Sequence, residues 1–332
     1  MPAFETAGTS SYYIGSPAPA KEAQSRPGWA SRASERSGMS PGRPAATLAA
    51  RAKINLRLDV LDRQANGLHG IRSMVADLEI ADDVKIIERY GEFSVTCEGA
   101  DIPERENLAW LAAQSLGVDL SGLQVHIRKR IPMQSGLGGG SSDAAAVLRG
   151  LTGIFAARRM PLSKDKVHEA TRVGSDVPAC MVPGFKIVEG TGDIVRPIPV
   201  PAPPWGIVLL RPNAAVPTSE AYRLLDAARE EGAQPRAERE FVALRSAIGS
   251  RNFARALTLL TNDFQPVIEL VFPPVASARE RLQAAGATAT LLCGSGSCVA
   301  GFFENRGAAE TATRKIQRND GEWIVSTGFA RA

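Results

Sequence analysis

The stretch "KRIPMQSGLGGGSSDAAAVLRGL", Lys129 to Leu151, gathers Gly136, Gly138, Gly139 and Gly140 with Ser141 and Ser142 just ahead of an alanine-rich segment. Glycine weakens strands and helices alike, so the cluster points to a constraint other than regular secondary structure. A P-loop needs a lysine directly after its last glycine, and none follows here. The dinucleotide pattern G-x-G-x-x-G also fails. Its third glycine position is Ser141 for Gly136/Gly138, Val195 for Gly190/Gly192 and Val299 for Gly294/Gly296. What is left is a turn whose backbone N–H groups converge without side chains in the way, feeding a helix that Ser141 and Ser142 open. Unpaired N–H groups and the positive dipole end of such a helix suit a polyphosphate. A flexible loop ending in a serine N-cap fits the same residues.

Several elements must position this loop. In "AKINLRLDVLDR", Ile54, Leu56, Leu58 and Val60 alternate with Asn55, Arg57 and Asp59, which predicts a half-buried strand with Lys53 and Asn55 on its polar face. "QANGLHG" reads as a loop, with Asn66-Gly67 as its turn. Strands are expected near Ile71–Ile80, Val84–Glu88 and Phe93–Cys97, then a helix in "ENLAWLAAQSLGV" and a strand in "LQVHIRKRI". A helix over about Ser141–Ile154 follows the glycine loop, and another spans Lys164–Arg172. "PVPAPPWG", Pro199–Gly206, is the best linker. Beyond it, with extra helices set aside, the order is β-α-β-β-α-β, a ferredoxin-like split motif.

Composition sets the outer bounds. The 332 residues are 44% hydrophobic and 22% charged, as in ordinary globular proteins, with a net charge of +4. Residues 1–43 carry five basic and three acidic side chains and are rich in Pro, Ser, Ala and Gly, which predicts a flexible extension. So mild a charge does not call for nucleic acid, but it allows one basic patch for an anionic small molecule. No apolar run approaches the roughly 18 residues of a membrane helix. The four cysteines form no C-x-x-C, which argues against a zinc cage and suits a reduced, cytoplasmic setting.

"PMQSGLGGGSSDAA" resembles the phosphate-binding motif of the GHMP small-molecule kinases. The triple glycine followed by "SSDAA" is similar to the branch that acts on a cytidine diphosphate alcohol of the non-mevalonate isoprenoid precursor pathway. "ARAKINLRLDV", "NGLHGIRS", "VGSDVPACM", "EGTGD", "TNDF" and "LLCGSGSCVAGFF" resemble further segments of that branch, in order, from about Ala45 to Phe303. The resemblance implies an α+β, two-domain fold: a ribosomal protein S5 domain 2-like domain over residues 44–200 and a ferredoxin-like domain over 201–332. It implies ATP-dependent phosphorylation of an alcohol, with ATP arriving as a Mg2+ complex and no assigned protein metal ligand. Other GHMP kinases, acting on homoserine, mevalonate or a sugar, and a non-catalytic nucleotide-binding protein remain alternatives.

The resemblance also distributes roles. Asp176 becomes the catalytic base and Lys53 its cationic partner, offsetting charge on the transferring phosphoryl group. Pro132, Gly136, Leu137, Gly138, Gly139, Gly140, Ser141 and Ser142 form the ATP site. Asn55 holds substrate hydroxyls, a ring N–H of His69 reads cytosine, Tyr222 stacks on it, and Thr218, Gly294, Ser295 and Gly296 complete the substrate side. Leu68 stands where the branch usually has an aromatic residue. Each residue also has a plainer reading. Asp176 caps a helix near Pro178, Lys53 is a solvated strand lysine and His69 faces water. Thr218 is an N-cap, Tyr222 a core ring and Gly294–Gly296 a hairpin turn. Asp143 reads as a first-turn acid favoured by the helix dipole. The partners expected are small molecules, without nucleic acid or membrane, for a monomer or weak homodimer.

Overall fold

The computed structural model describes residues 43–65, 67–230 and 238–331. The expected extension over residues 1–43 lies outside these, except for Arg43, and so does Asn66 of the turn. Two long antiparallel strands, β1 (Arg43–Arg63) and β2 (His69–Glu88), form the spine of a seven-stranded sheet. What reads as two strands near Ile71–Ile80 and Val84–Glu88 is this single β2. His69, expected on the loop, is its first residue. Beside β2 lie β3 (Ser94–Glu98) and β4 (Leu123–Arg128) at one end, and β5 (Lys186–Gly190) and β6 (Ile194–Pro197) at the other.

Against this sheet pack α1 (Leu108–Ser115) and α2 (Gly139–Ala157). They bury Ala112, Ala144 and Leu148 over Val84, Ile86 and Val125. Then follow α3 (Lys164–Ala170) and the short α4 (Val177–Met181).

A second sheet is built from β7 (Gly206–Arg211), β9 (Ala289–Leu292), β10 (Val299–Phe303) and β11 (Trp323–Thr327), in the order β11-β7-β10-β9 with every pair antiparallel. This is the ferredoxin-like order expected from the β-α-β-β-α-β reading. Its helices are α5 (Thr218–Glu230), α6 (Glu238–Gly249), α7 (Phe253–Leu257), α8 (Gln265–Val271), α9 (Pro273–Ala284) and α10 (Arg306–Lys315). Ile207, Leu209, Ala300 and Phe302 point to the first sheet and meet Ile54, Leu56, Met74 and Leu78. The alternate residues Val208, Leu210, Val299 and Phe303 pack with Ala221, Leu225, Val275 and Leu282 of the helices. Both faces are covered, so these strands read as nearly unbroken apolar runs. Among the described residues, no helix is long and apolar enough to cross a membrane.

The structure corrects the half-buried reading of β1. Every residue from Ala52 to Val60 is buried, including Lys53, Asn55, Arg57 and Asp59 at 1–5% exposure. The polar face is covered by chain from far along the sequence. A two-residue strand, β8 (Thr261–Asn262), pairs in parallel with Arg57–Leu58, and Glu240 of α6 takes Arg57 Nη2 at 3.1 Å. Arg57 also donates through Nε to Asp59 at 2.9 Å, so the buried charges are paired. Bulges at Arg51/Lys53 and Asn55/Arg57 bracket the Lys53–Asn55 segment, and bulges of this kind re-aim side chains.

The glycine loop is pressed against the turn that joins β9 to β10. Gly136 has φ +75°, and a Cβ there would lie 1.7 Å from the Cys293 carbonyl oxygen. Gly140, inside α2, has only Leu108 Cδ1 at 3.6 Å. Gly136→Ala is therefore expected to lower unfolding free energy by about 2–4 kcal/mol. Gly140→Ala should leave it unchanged or raise it by up to about 1 kcal/mol. Denaturant titration of both variants checks the contrast; equal effects would mean that the two loops are not closely docked.

Candidate active site

β1 carries Lys53 to the floor of a cleft of about 500 Å³, where its Nζ lies 3.2 Å from Asp176 Oδ2 and donates to Asn55 Oδ1 at 2.8 Å. Asn55 is held in turn, donating to Ser73 Oγ at 2.8 Å, and Ser73 donates to the Arg57 carbonyl at 2.7 Å. The lysine side chain is 5% exposed and that of Asp176 44%, so an ammonium is clamped beneath a carboxylate that still faces the cleft.

The capping reading of Asp176 fails on geometry. Asp176 occupies the N-cap position of α4, but its backbone is helical (φ −90°, ψ −9°) and its side chain makes no capping hydrogen bond. Side-chain capping normally uses extended backbone at this position. The carboxylate is left to Lys53 and the cleft.

On the loop side, Pro132, Gly136, Gly138, Gly139, Gly140 and Ser141 line the same cleft. The helix opens two residues earlier than the serines suggest, at Gly139, with Gly138 before it in the left-handed region (φ +70°). A Cβ on Gly138 would lie 2.9 Å from Lys53 Cγ, so this glycine admits the lysine as well as clearing the backbone. Two loop residues sit elsewhere than expected. Leu137 is fully buried in the core and meets β1 through its carbonyl, which accepts from Lys53 N at 2.9 Å. Ser142 lies inside the helix, 2% exposed, and its Oγ is buried without a hydrogen-bond partner.

Facing the loop across the cleft are Thr218, Tyr222, Gly294, Ser295 and Gly296. Thr218 Oγ1 and Ser295 Oγ are 3.0 Å apart, tying the start of α5 to the turn. A Cβ on Gly294 would lie 3.2 Å from Lys53 Nζ, which places this turn over the ammonium.

His69 lies next door, in a pocket of about 520 Å³ that shares Ser175, Thr191 and Tyr222 with the cleft. Its ring stacks on Tyr222, with centroids 4.9 Å apart and an interplanar angle of 20°. Its Nε2 is 2.8 Å from Asp226 Oδ1. A carboxylate can only accept, so it takes the Nε2–H, the ring N–H expected to read a base. Leu68 is 57% exposed at the rim of this pocket.

Models of two halves of one kinase family match the chain: the GHMP kinases N terminal domain over residues 106–184 and the GHMP kinases C terminal over residues 244–321. The 4-diphosphocytidyl-2-C-methyl-D-erythritol kinase of Pelotomaculum thermopropionicum is 34% identical over 288 residues, covering 85% of this chain and 98% of its own length. The chain belongs to the 4-diphosphocytidyl-2-C-methyl-D-erythritol kinase family. The kinase of that name from an Anaeromyxobacter species is 40% identical over 278 residues, 80% of this chain and 84% of its own. A crystal structure of 4-(cytidine 5'-diphospho)-2C-methyl-D-erythritol kinase, 29% identical, superposes with a TM-score of 0.69 over 85% of this chain and 99% of that one.

Several residues of this kinase fold escaped the sequence reading. Asn262, in "TNDF", is 1% exposed and donates to the Leu292 and Gly294 carbonyls at 2.8 and 2.7 Å, pinning the Gly294 turn. Asp226 gave no signal beyond lying one helical turn after Tyr222. Asp143 is not the first-turn acid expected, because the helix opens at Gly139 and its first turn holds no acidic residue. Asp143 is 3% exposed and shares the Lys129 ammonium with Asp82, each carboxylate at 2.6 Å. Asp82 Oδ1 also accepts from the Arg130 and Ile131 amides at 2.5 and 2.8 Å, fixing the chain that enters the loop.

Burial pushes Asp143 up to about 7; Lys129 pulls it down and Asp82 adds to the rise. A carboxylate raised in the folded state contributes stability that is fully present below its unfolded value and is lost as pH rises through about 7. Stability of the parent relative to Asp143→Asn is therefore expected to fall between about pH 4 and about pH 7. Denaturant midpoints across that range test it; parallel pH profiles would contradict it.

Proposed function

We propose that the cleft carries out ATP-dependent phosphorylation of the 2-hydroxyl of 4-diphosphocytidyl-2-C-methyl-D-erythritol, the non-mevalonate isoprenoid step of the family. The observation that carries this reading is the position of the Lys53–Asp176 pair. It lies between the glycine loop and the His69–Tyr222 pocket, which shares a wall with the cleft. ATP phosphates are assigned to the glycine loop and the N-terminus of α2, and the cytidine end of the acceptor to the His69 pocket. The hydroxyl oxygen attacks the γ-phosphorus, the bond from that phosphorus to the β-phosphate bridging oxygen breaks, and ADP leaves. Asp176 orients the hydroxyl and accepts its proton, while Lys53 offsets the growing phosphoryl charge.

With Nε2–H given to Asp226, His69 Nδ1 suits a donor such as the exocyclic amine of cytosine. Tyr222 supplies the aromatic surface, with Leu68 adding only apolar contact. Asn55 and Thr218 hold substrate hydroxyls, and the Gly294–Gly296 turn covers the diphosphate.

Magnesium accompanies ATP. The ion is carried mainly by phosphate oxygens and water. No protein ligand is assigned to it; Ser142, whose buried Oγ lacks a partner, would be the nearest candidate contact. When bound, the ion neutralises phosphate charge.

We also assign residues 44–200 and 201–332 as two domains, supported by family matches that fall on either side of Pro199–Gly206. A cytoplasmic enzyme working as a monomer or weak homodimer, without nucleic acid, completes the proposal.

Purified protein given ATP and the cytidine alcohol should release ADP. Turnover with homoserine, mevalonate or a sugar but not with this alcohol would reject the assignment. Asp176→Asn is expected to lower kcat by about 100-fold or more with ATP binding nearly unchanged. Asp226→Ala should raise KM for the cytidine substrate about tenfold and leave KM for ATP alone. Steady-state kinetics with each substrate varied checks both.

A further inference from the structure

Lys186 has no exposed surface, yet it carries a charge that the cleft never touches. Its Nζ donates to Asp77 Oδ1 at 2.5 Å and to the carbonyls of Ala179 and Val182 at 3.1 and 2.5 Å. Those carbonyls close the C-terminal end of α4, the five-residue helix whose N-cap is Asp176. A second cation reaches the same end: Arg149 Nη1 donates to the Cys180 carbonyl at 2.7 Å. Asp77 is itself fixed, accepting from the Gly184 amide at 2.9 Å through Oδ2.

A single helical turn is unstable alone, and at its front Asp176 makes no cap. The position of the Asp176 carboxylate therefore depends on what grips the helix from behind. The one hydrogen bond from the turn back to Asp176 is Cys180 N to the Asp176 carbonyl, at 3.0 Å. Cys180 is the residue held by Arg149, and Ala179 beside it is held by Lys186. Arg149 belongs to α2, the helix that begins at the glycine loop. Lys186 belongs to β5, and its partner Asp77 to β2. One side of the grip follows the nucleotide loop and the other the strand that opens at His69.

We propose that Lys186, with Asp77 and Arg149, is a positioning device for the reaction: a two-cation clamp, its lysine fully buried and its arginine half-buried, on the C-terminal end of α4 that sets the height of the Asp176 carboxylate over Lys53. The proposal rests on the catalytic reading of Asp176. It assigns no contact with substrate to either cation. Its consequence is kinetic. Loosening the clamp misplaces the carboxylate, and misplacement by about 1 Å costs on the order of 100-fold in rate.

Removing Lys186 alone would leave the half-buried Asp77 carboxylate without its cation, so the test is the charge-balanced variant Asp77→Asn/Lys186→Met. It is expected to stay folded by circular dichroism, with kcat lowered at least about tenfold and KM for ATP within about twofold. Its loss should vanish on an Asp176→Asn background, where residual turnover is followed with labelled ATP, because the group being positioned is gone. Unchanged kcat, or losses that multiply with that of Asp176→Asn, would overturn the clamp. Parent turnover in Asp176→Asn by itself would instead overturn the catalytic reading beneath it. If the double variant does not fold, Arg149→Met puts the same question from the other side. Lowered kcat restored in part by Arg149→Lys supports the clamp, and unchanged kcat in Arg149→Met rejects it.

Discussion

A lysine ammonium held out of water by two glycine turns is the interaction on which the rest of this site depends. Lys53 is 4% exposed, and a buried ammonium is costly unless it is paired. Its surroundings meet that need with Asp176 and Asn55. Gly138 leaves room for the lysine stem, and Gly294 lets the opposite turn come close to Nζ. Any larger residue at Gly136 would hold the two turns apart. The same glycines that expose backbone N–H groups therefore also bring two distant parts of the chain together over one charge.

Buried charge recurs around the cleft with a consistent purpose. Asp82 and Lys129 fix the strand that enters the glycine loop, and Arg57, Asp59 and Glu240 tie β1 to α6. Asp77, Lys186 and Arg149 grip α4. Such pairs are weak evidence for stability as such, because desolvation offsets much of their attraction. They are directional, however, and each fixes backbone that carries or adjoins a residue lining the cleft. Packing of alanines and leucines over β1 and β2 supplies the bulk of the burial; the ion pairs set the register and height of what projects from it.

How legible the site was depended on the kind of residue. The glycine loop stood out locally, because glycines cluster before a helix; Lys53 and Asp176 read locally as a strand lysine and a helix cap, and only the family resemblance gave them roles. Asp226, Asn262 and Lys186 were not readable. Each is an ordinary polar residue in its own segment, and its partner lies 157 residues away for Asp226, 30 or 32 for Asn262 and 109 for the Lys186–Asp77 pair. The alternation of β1 was also misleading. A period of two reports side-chain direction and says nothing about whether the second face is later covered.

By itself the sequence determined the order of elements, the ferredoxin-like second sheet and the chemistry available at the glycine loop, because periodicity and turn residues are local properties. The tertiary structure decided what that chemistry acts with. It turned Asp176 from a possible cap into a free carboxylate above an ammonium, since only packing fixes the φ and ψ that deny it the capping geometry. It also gave the His69 ring N–H, at the start of β2, a partner in Asp226 of α5. Side-chain roles of this kind are set by the partner that arrives, and partners distant in the chain are chosen by the fold.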